Sequence, residues 1–172
     1  VQDCQTDVHD FWSAYFYLHF YTVNTAKLSE NVWKEAEKML EQIQKYPQKE
    51  EYQKLVEADR INLYEREAEK GDDRKFLEET DRVFKENLRG DPAWKLYERK
   101  LVYLESKQPD ISGEFERFLK KYPKVMDAYV EYSIYLCRNN KMTQAQRVYR
   151  EGRKRTGMTS KRAEELRRKL GL

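Results

Sequence analysis

The sequence predicts an all-α fold of antiparallel helical hairpins, and three observations lead there. Apolar residues recur at three- and four-residue steps along nearly the whole chain, with long charged stretches between them, which is helix periodicity. Gly, Pro, Asn and Asp fall in short clusters where a hairpin needs its turn. A pattern of large aromatic residues returns at intervals of 35–42 residues, a period that belongs to helical solenoids.

Nine helices are expected. The first, 8–23, is dense in rings and ends at Asn24-Thr25. The second, 30–46, follows Ser29, a candidate N-cap, and stops at Tyr46-Pro47, because the residue before a proline is pushed out of the α region. The third, 49–70, ends at Gly71, and Asp72-Asp73 offers a cap to the fourth, 74–89. Gly90-Asp91-Pro92 reads as a stop followed by a start, with the proline near the first position of 92–107. Pro109-Asp110 precedes 112–121, Tyr122-Pro123 precedes 126–138, Asn139-Asn140 precedes 142–156, and Gly157 precedes 159–170. Connections this short favour antiparallel neighbours.

Composition narrows the class. Charged residues make up 38% of the 172, the mean hydropathy is −1.06, and Leu, Ile, Val and Phe together number only 36. Disorder would normally need charge imbalance as well, and 34 basic residues against 31 acidic leave only +3. The aliphatic deficit is filled by 13 Tyr, 7 Phe and 3 Trp, each able to bury about 150–250 Å². No stretch approaches the roughly 20 apolar residues of a membrane span, and no signal peptide opens the chain. Six Gly and four Pro are few for a turn-rich β-sandwich or a Gly-rich nucleotide loop. Cys4 and Cys137 make no disulfide framework, which favours a reducing nuclear or cytosolic setting. A first residue of Val points to a segment of a longer protein.

The repeat is the informative feature. An aromatic followed three residues later by a second large apolar residue occurs as Trp12 and Tyr15, Tyr52 and Leu55, Trp94 and Tyr97, and Tyr129 and Tyr132. Residues at i and i+3 share a helix face, so each pair is placed to wedge against a partner helix. Arg82-Val83-Phe84-Lys85-Glu86 parallels Arg147-Val148-Tyr149-Arg150-Glu151, and Lys45-Tyr46-Pro47 returns as Lys121-Tyr122-Pro123. This pattern resembles the half-a-TPR (HAT) repeat family, relatives of the tetratricopeptide repeats. The likeness is clearest from Asp127 to Tyr132 and from Ala145 to Glu151. The chain departs from the family where His19 stands in place of the usual Glu and where the second repeat lacks its leading Trp.

The resemblance implies a right-handed superhelical solenoid over residues 1–172, a single domain of about four hairpins with a C-terminal capping helix. It also implies a scaffold of nuclear RNA processing: splicing, 3′-end formation, ribosomal RNA maturation or RNA surveillance. A peptide-binding tetratricopeptide module of a chaperone or trafficking complex is the alternative. Family members are often dimers, so a homodimer is a further expectation.

Charge is unevenly distributed. Residues 138–172 carry 12 Lys and Arg against 3 Glu, while residues 1–137 carry 22 basic against 28 acidic. Arg147, Arg150, Arg153, Lys154 and Arg155, followed by Lys161, Arg162, Arg167, Arg168 and Lys169, form a basic stripe suited to an acidic protein segment or to phosphates. The simpler reading is a solvated face of cap helices, with cations near helix C-termini. Direct RNA binding would want exposed rings among the basic residues. Tyr149 is the only ring there, and its register puts it in the core. On the first helix, Phe11, Trp12, Tyr15, Phe16, Tyr17, Phe20 and Tyr21 occupy most of the circumference. Such a helix is normally buried on all sides; otherwise Phe16 and Phe20 are exposed and face a partner or a second copy.

Catalytic, metal and cofactor readings are weak. His9, His19 and Cys4 are too few and too poorly spaced for a zinc site, and adjacent carboxylates such as Glu78-Glu79 face different directions on a helix. No nucleophile elbow, P-loop or dinucleotide fingerprint is present. The expectation is a protein-binding scaffold of the nucleus, with no enzymatic activity and no cofactor.

Overall fold

A computed structural model describes the backbone of residues 2–24, 30–44, 50–86 and 90–172, and the side chains of 11–22, 34–44, 55–86, 90 and 93–172. Among these residues there are nine α-helices and no strand: α1 Gln2–Asn24, α2 Glu30–Ile43, α3 Glu50–Glu69, α4 Arg74–Lys85, α5 Gly90–Glu105, α6 Ser112–Lys121, α7 Met126–Arg138, α8 Met142–Thr156 and α9 Lys161–Lys169. The expected breaks at Thr25, Ser29 and Tyr46-Pro47 lie outside the described residues.

The later breaks show their chemistry. Asn140 ends α7 with a left-handed backbone (φ 58°), and the Lys141 amide donates back to the Leu136 carbonyl at 2.9 Å. Gly157 ends α8 at φ 75° and donates to the Arg153 carbonyl, a conformation that a Cβ would penalise. Gly90 is different. It is the first residue of α5, and a Cβ there would meet Val125 Cγ2 at 2.6 Å. Close approach of that side chain favours the glycine. Pro92 is tolerated as the third residue of α5, because the first amides of a helix have no intrahelical acceptor.

The chain divides into two compact units, residues 1–79 and 80–172. In the first, α1 packs on α2 and α3, and α2 on α3. Its core joins Phe11, Ala14 and Leu18 of α1 to Ala36, Leu40 and Ile43 of α2 and to Val56 and Leu63 of α3. Asp59, buried on α3, is held from α1: Thr22 Oγ1 donates to its Oδ1 at 3.0 Å, and His19 Nδ1 lies 3.1 Å from both carboxylate oxygens.

The second unit is built on rings. Phe84 of α4 lies 4.8 Å from the Tyr97 ring centroid, Tyr97 and Trp94 of α5 each lie 5.1 Å from Phe118 of α6, and Phe115 stacks on Tyr132 of α7 at 4.8 Å. Helix α7 packs on α6, α8 and α9.

The expected aromatic pairs therefore behave in two ways. Trp94 and Tyr97, and Tyr129 and Tyr132, are buried. In the first unit the core register runs one residue off the expected one. Phe11, Ala14 and Leu18 fill the slot on α1, leaving Trp12 39% exposed, and Val56 takes the place expected for Leu55, which is 43% exposed. One residue is a rotation of about 100° on a helix, enough to turn a wedge outward. The Tyr52 side chain lies outside the described residues.

Candidate functional site

The basic helices α8 and α9 are held by a few buried groups. Ala145, Tyr149 and Gly152 face the core, and the Tyr149 hydroxyl donates to the Ala163 carbonyl of α9 at 3.0 Å. Arg147, Arg150 and Lys154 consequently project on the opposite side of α8, with Arg153 and Arg155 on its flanks. On α9, Ala163, Leu166 and Leu170 are buried, and Lys161, Arg162, Arg168 and Lys169 are exposed. Ser160 caps that helix by accepting from the Ala163 amide at 3.2 Å.

Partners reduce the basic stripe. Arg138 pairs with Glu105 and Lys141 with Asp110; Arg155 pairs with Glu151, Arg162 with Glu131 and Arg167 with Glu164. Arg147, Arg150, Arg153, Lys154, Lys161, Arg168 and Lys169 form no ion pair among the described residues. The Lys141 ammonium and the Ser112 amide hold the Asp110 carboxyl far below its ordinary range, so that pair is charged at any physiological pH.

A groove of about 640 Å³ opens between α6, α7 and α8. Its apolar lining is Leu119, Pro123, Tyr129, Tyr132 and Val148, all buried or half-buried, and its charged rim is Glu116, Lys120, Arg147, Glu151 and Arg155. The ring hydroxyls are occupied: Tyr129 donates to the Pro123 carbonyl at 3.2 Å and Tyr132 to Glu116 at 3.1 Å. Burial pushes the Tyr132 hydroxyl up to about 12, so it remains a neutral donor.

Helix α1 presents a second surface. Phe16 is 68% exposed, Tyr17 54% and Phe20 50%, while Phe11 is buried and Tyr15 half-buried. The expectation of burial on all sides fails here, because α2 and α3 cover the side of α1 that carries Phe11, Ala14, Leu18 and Thr22, with Tyr15 and Tyr21 at its edges, and leave Phe16, Tyr17 and Phe20 exposed. The exposed rings lean on neighbours of the same helix, Tyr17 on Tyr21 and Phe20 on Tyr21.

Neither a family model, nor a curated protein, nor a solved structure matches the chain. Its chemistry is therefore read from its own residues.

No cluster of metal-ligating side chains is found among the described residues; the side chains of Cys4 and His9 lie outside them. No helix among those described is long and apolar enough to cross a membrane. The half-buried Cys137 thiol is a free cysteine pushed up by burial.

Two features escaped the sequence reading. Lys100 is 4% exposed and donates to Asp81 at 2.8 Å and Glu114 at 3.0 Å, while Arg117 reaches Asp81 at 3.0 Å. The signal was available: Lys100 follows Tyr97 by three residues, a cation in a core register. The groove had no such signal, because Lys120 and Glu116 meet Arg147 and Glu151 only through tertiary packing.

Proposed function

We propose that the chain is a protein–protein interaction scaffold, a solenoid of HAT-like helical hairpins belonging to a nuclear RNA-processing factor. The observation that carries this reading is the recurrence of one packing device at matching places in the sequence. Trp94 and Tyr97 on α5 and Tyr129 and Tyr132 on α7 are core pairs at i and i+3. Phe84 and Tyr149, in the paralleled Arg-apolar-aromatic segments of α4 and α8, are both buried. Stacked hairpins of this kind leave long helix faces for partners, and α1 and α8 supply exposed rings and unpaired cations. The pathway itself comes from the resemblance to HAT repeats.

RNA contact is indirect in this reading. Base stacking needs accessible ring faces beside the cations, and Tyr129, Tyr132 and Tyr149 are each at most 4% exposed.

The test is capture by the immobilised full chain from RNase-treated nuclear extract, read by mass spectrometry. RNA-processing subunits are expected, with weaker capture when Arg153, Lys154 and Arg155 are reversed to Glu. Recovery of chaperones in their place would assign the chain to the tetratricopeptide class instead. Tight binding to single-stranded RNA that weakens steeply with salt would replace the scaffold by an RNA-binding protein.

A further inference from the structure

We propose that the groove between α6, α7 and α8 docks a peptide segment in which apolar side chains are flanked by Asp or Glu, a reading that rests on the chain being a protein-binding scaffold. Three helix faces build it. Glu116, Leu119, Lys120 and Pro123 follow one another along α6 and its exit at steps of three, one and three, and share one side. Arg147, Glu151 and Arg155 form an i, i+4, i+8 stripe on α8. Tyr129 and Tyr132 of α7 lie between them as the floor.

The dimensions suit a short segment. From Arg147 to Arg155 the helix rises about 12 Å, the length of about four extended residues. The cavity of about 640 Å³ falls in the range of about 300–1,000 Å³ usual for ligand pockets. Apolar side chains are the natural occupants, because the half-buried Leu119, Pro123 and Val148 supply the open surface and both tyrosine hydroxyls beneath them already have acceptors within the protein.

Charge selects the flanks. On the rim, Glu151 is paired with Arg155 on the same helix, and Glu116 keeps its charge while accepting from the Tyr132 hydroxyl, so three cations face two acids. The cations are not matched in the same way. Lys120 on one wall and Arg147 on the other are exposed and form no ion pair among the described residues. A neutral apolar segment would leave both without an ion pair, whereas carboxylates on either side of an apolar anchor would meet one from each wall. Nucleic acid carries the right charge but lacks the right contact: the floor rings are 4% exposed, and what the groove leaves open is aliphatic surface of the half-buried Leu119, Pro123 and Val148, which suits an aliphatic or aromatic side chain and gives a base no ring to stack on.

Fluorescence anisotropy with the full chain tests this. The probes are three fluorescein-labelled nine-residue peptides, each with a central Leu-Phe pair flanked by Glu, by Gln or by Lys, and a labelled twelve-nucleotide oligo(U). The Glu-flanked peptide is expected to bind best, with the Gln-flanked one at least about tenfold weaker and the Lys-flanked one not binding. Lys120→Glu with Arg147→Glu should weaken the Glu-flanked peptide by about tenfold or more, while Lys95→Glu at an exposed site on α5 leaves it unchanged. Lys120→Arg with Arg147→Lys, which keeps both charges at exposed sites, should retain binding and guards against misfolding of the reversed variant. Equal binding of Glu- and Gln-flanked peptides, or an unchanged affinity in the double reversal, overturns the proposal. So does oligo(U) binding that depends on Lys120 and Arg147. RNA-processing subunits that still co-purify with the double reversal overturn the groove while leaving the scaffold standing. Peptide binding by a chain that captures no such subunit supports the groove and removes the pathway.

Discussion

Gly152 lies in the interior of α8, where replacing glycine by alanine ordinarily stabilises a helix by about 1 kcal/mol. Here the added Cβ would sit 2.2 Å from Met158 Cε and 2.6 Å from Cβ and Cγ of Tyr129. The Met158 tip can move; the Tyr129 atoms next to the α7 backbone cannot. Gly152→Ala is therefore expected to destabilise by about 1–3 kcal/mol. Gly113→Ala on α6, with nothing within 4 Å of its Cβ, should stabilise by about 0.5 kcal/mol. Urea melts of the two variants check the opposite signs, and equal signs would contradict the α7–α8 packing.

Lys100 gives a second prediction at this scale. Burial raises the Asp81 and Glu114 carboxyls, but Lys100 and Arg117, with the Tyr97 hydroxyl on Glu114, outweigh it and hold both below their ordinary values of 3.8 and 4.5. Their folded values lie below the unfolded ones, so this stabilisation is present above about pH 5 and is lost as pH falls through the folded values. A fully buried pair that loses one partner costs about 3–5 kcal/mol; with the two acids 35% and 28% exposed, Lys100→Met should cost on the order of 2 kcal/mol at pH 7. Melts at pH 7 and pH 3 should show the deficit shrinking in acid. A deficit of the same size at both would mean that packing of the lysine stem, and not the charge cluster, holds α4, α5 and α6. Lys100 and Asp59 share a lesson: a charged residue in a core register was legible as an anomaly, but its partners, 14 to 40 residues away, were not.

Among elements, the helices most dependent on local signals were the most legible. The structure reproduces 112–121, 126–138 and 142–156 to the residue, because Pro, Asn and Gly terminate them where their backbone demands it. Helix α5 starts at Gly90, two residues before the expected 92, and Gly90 lies against Val125, a tertiary contact that local signals do not show. The end of α4 is also set from a distance. Lys121 Nζ donates to the Phe84 carbonyl and, at 3.2 and 3.4 Å, to those of Lys85 and Glu86, and it lies 4.8 Å from the centre of the Phe84 ring. A cation on the last carbonyls of a helix satisfies acceptors that have no intrahelical donor. Lys121→Met should cost about 1 kcal/mol and speed hydrogen exchange of amides in the last turn of α4. Unchanged exchange there would show that the lysine is only a surface contact. The Lys-Tyr-Pro recurrence thus has a structural purpose in its second copy; the first copy lies outside the described residues.

For the whole molecule, two sequence tallies change meaning. The net +9 of residues 138–172 overstates the available charge, because Glu105 and Glu131 from preceding helices and Asp110 from the α5–α6 connection reach into it. Seven cations remain without an ion pair among the described residues, and Arg147 joins Lys120 at the groove. The even spacing of aromatic pairs gave no hint of division at residues 79 and 80, since periodicity records where helices repeat and not how densely they pack. The α1 rings show the same limit: periodicity identified them as apolar, while the one-residue rotation that exposes Phe16 and Phe20 depends on which face α2 and α3 cover.

We propose that this chain holds protein partners of the nuclear RNA-processing machinery. The most direct test is proximity labelling in living cells, with the full chain fused to a biotin ligase and labelled proteins identified by mass spectrometry. Nuclear labelling enriched in RNA-processing subunits is expected, reduced by Lys120→Glu with Arg147→Glu. Labelling confined to cytoplasmic chaperone or trafficking proteins, and insensitive to that substitution, would contradict it.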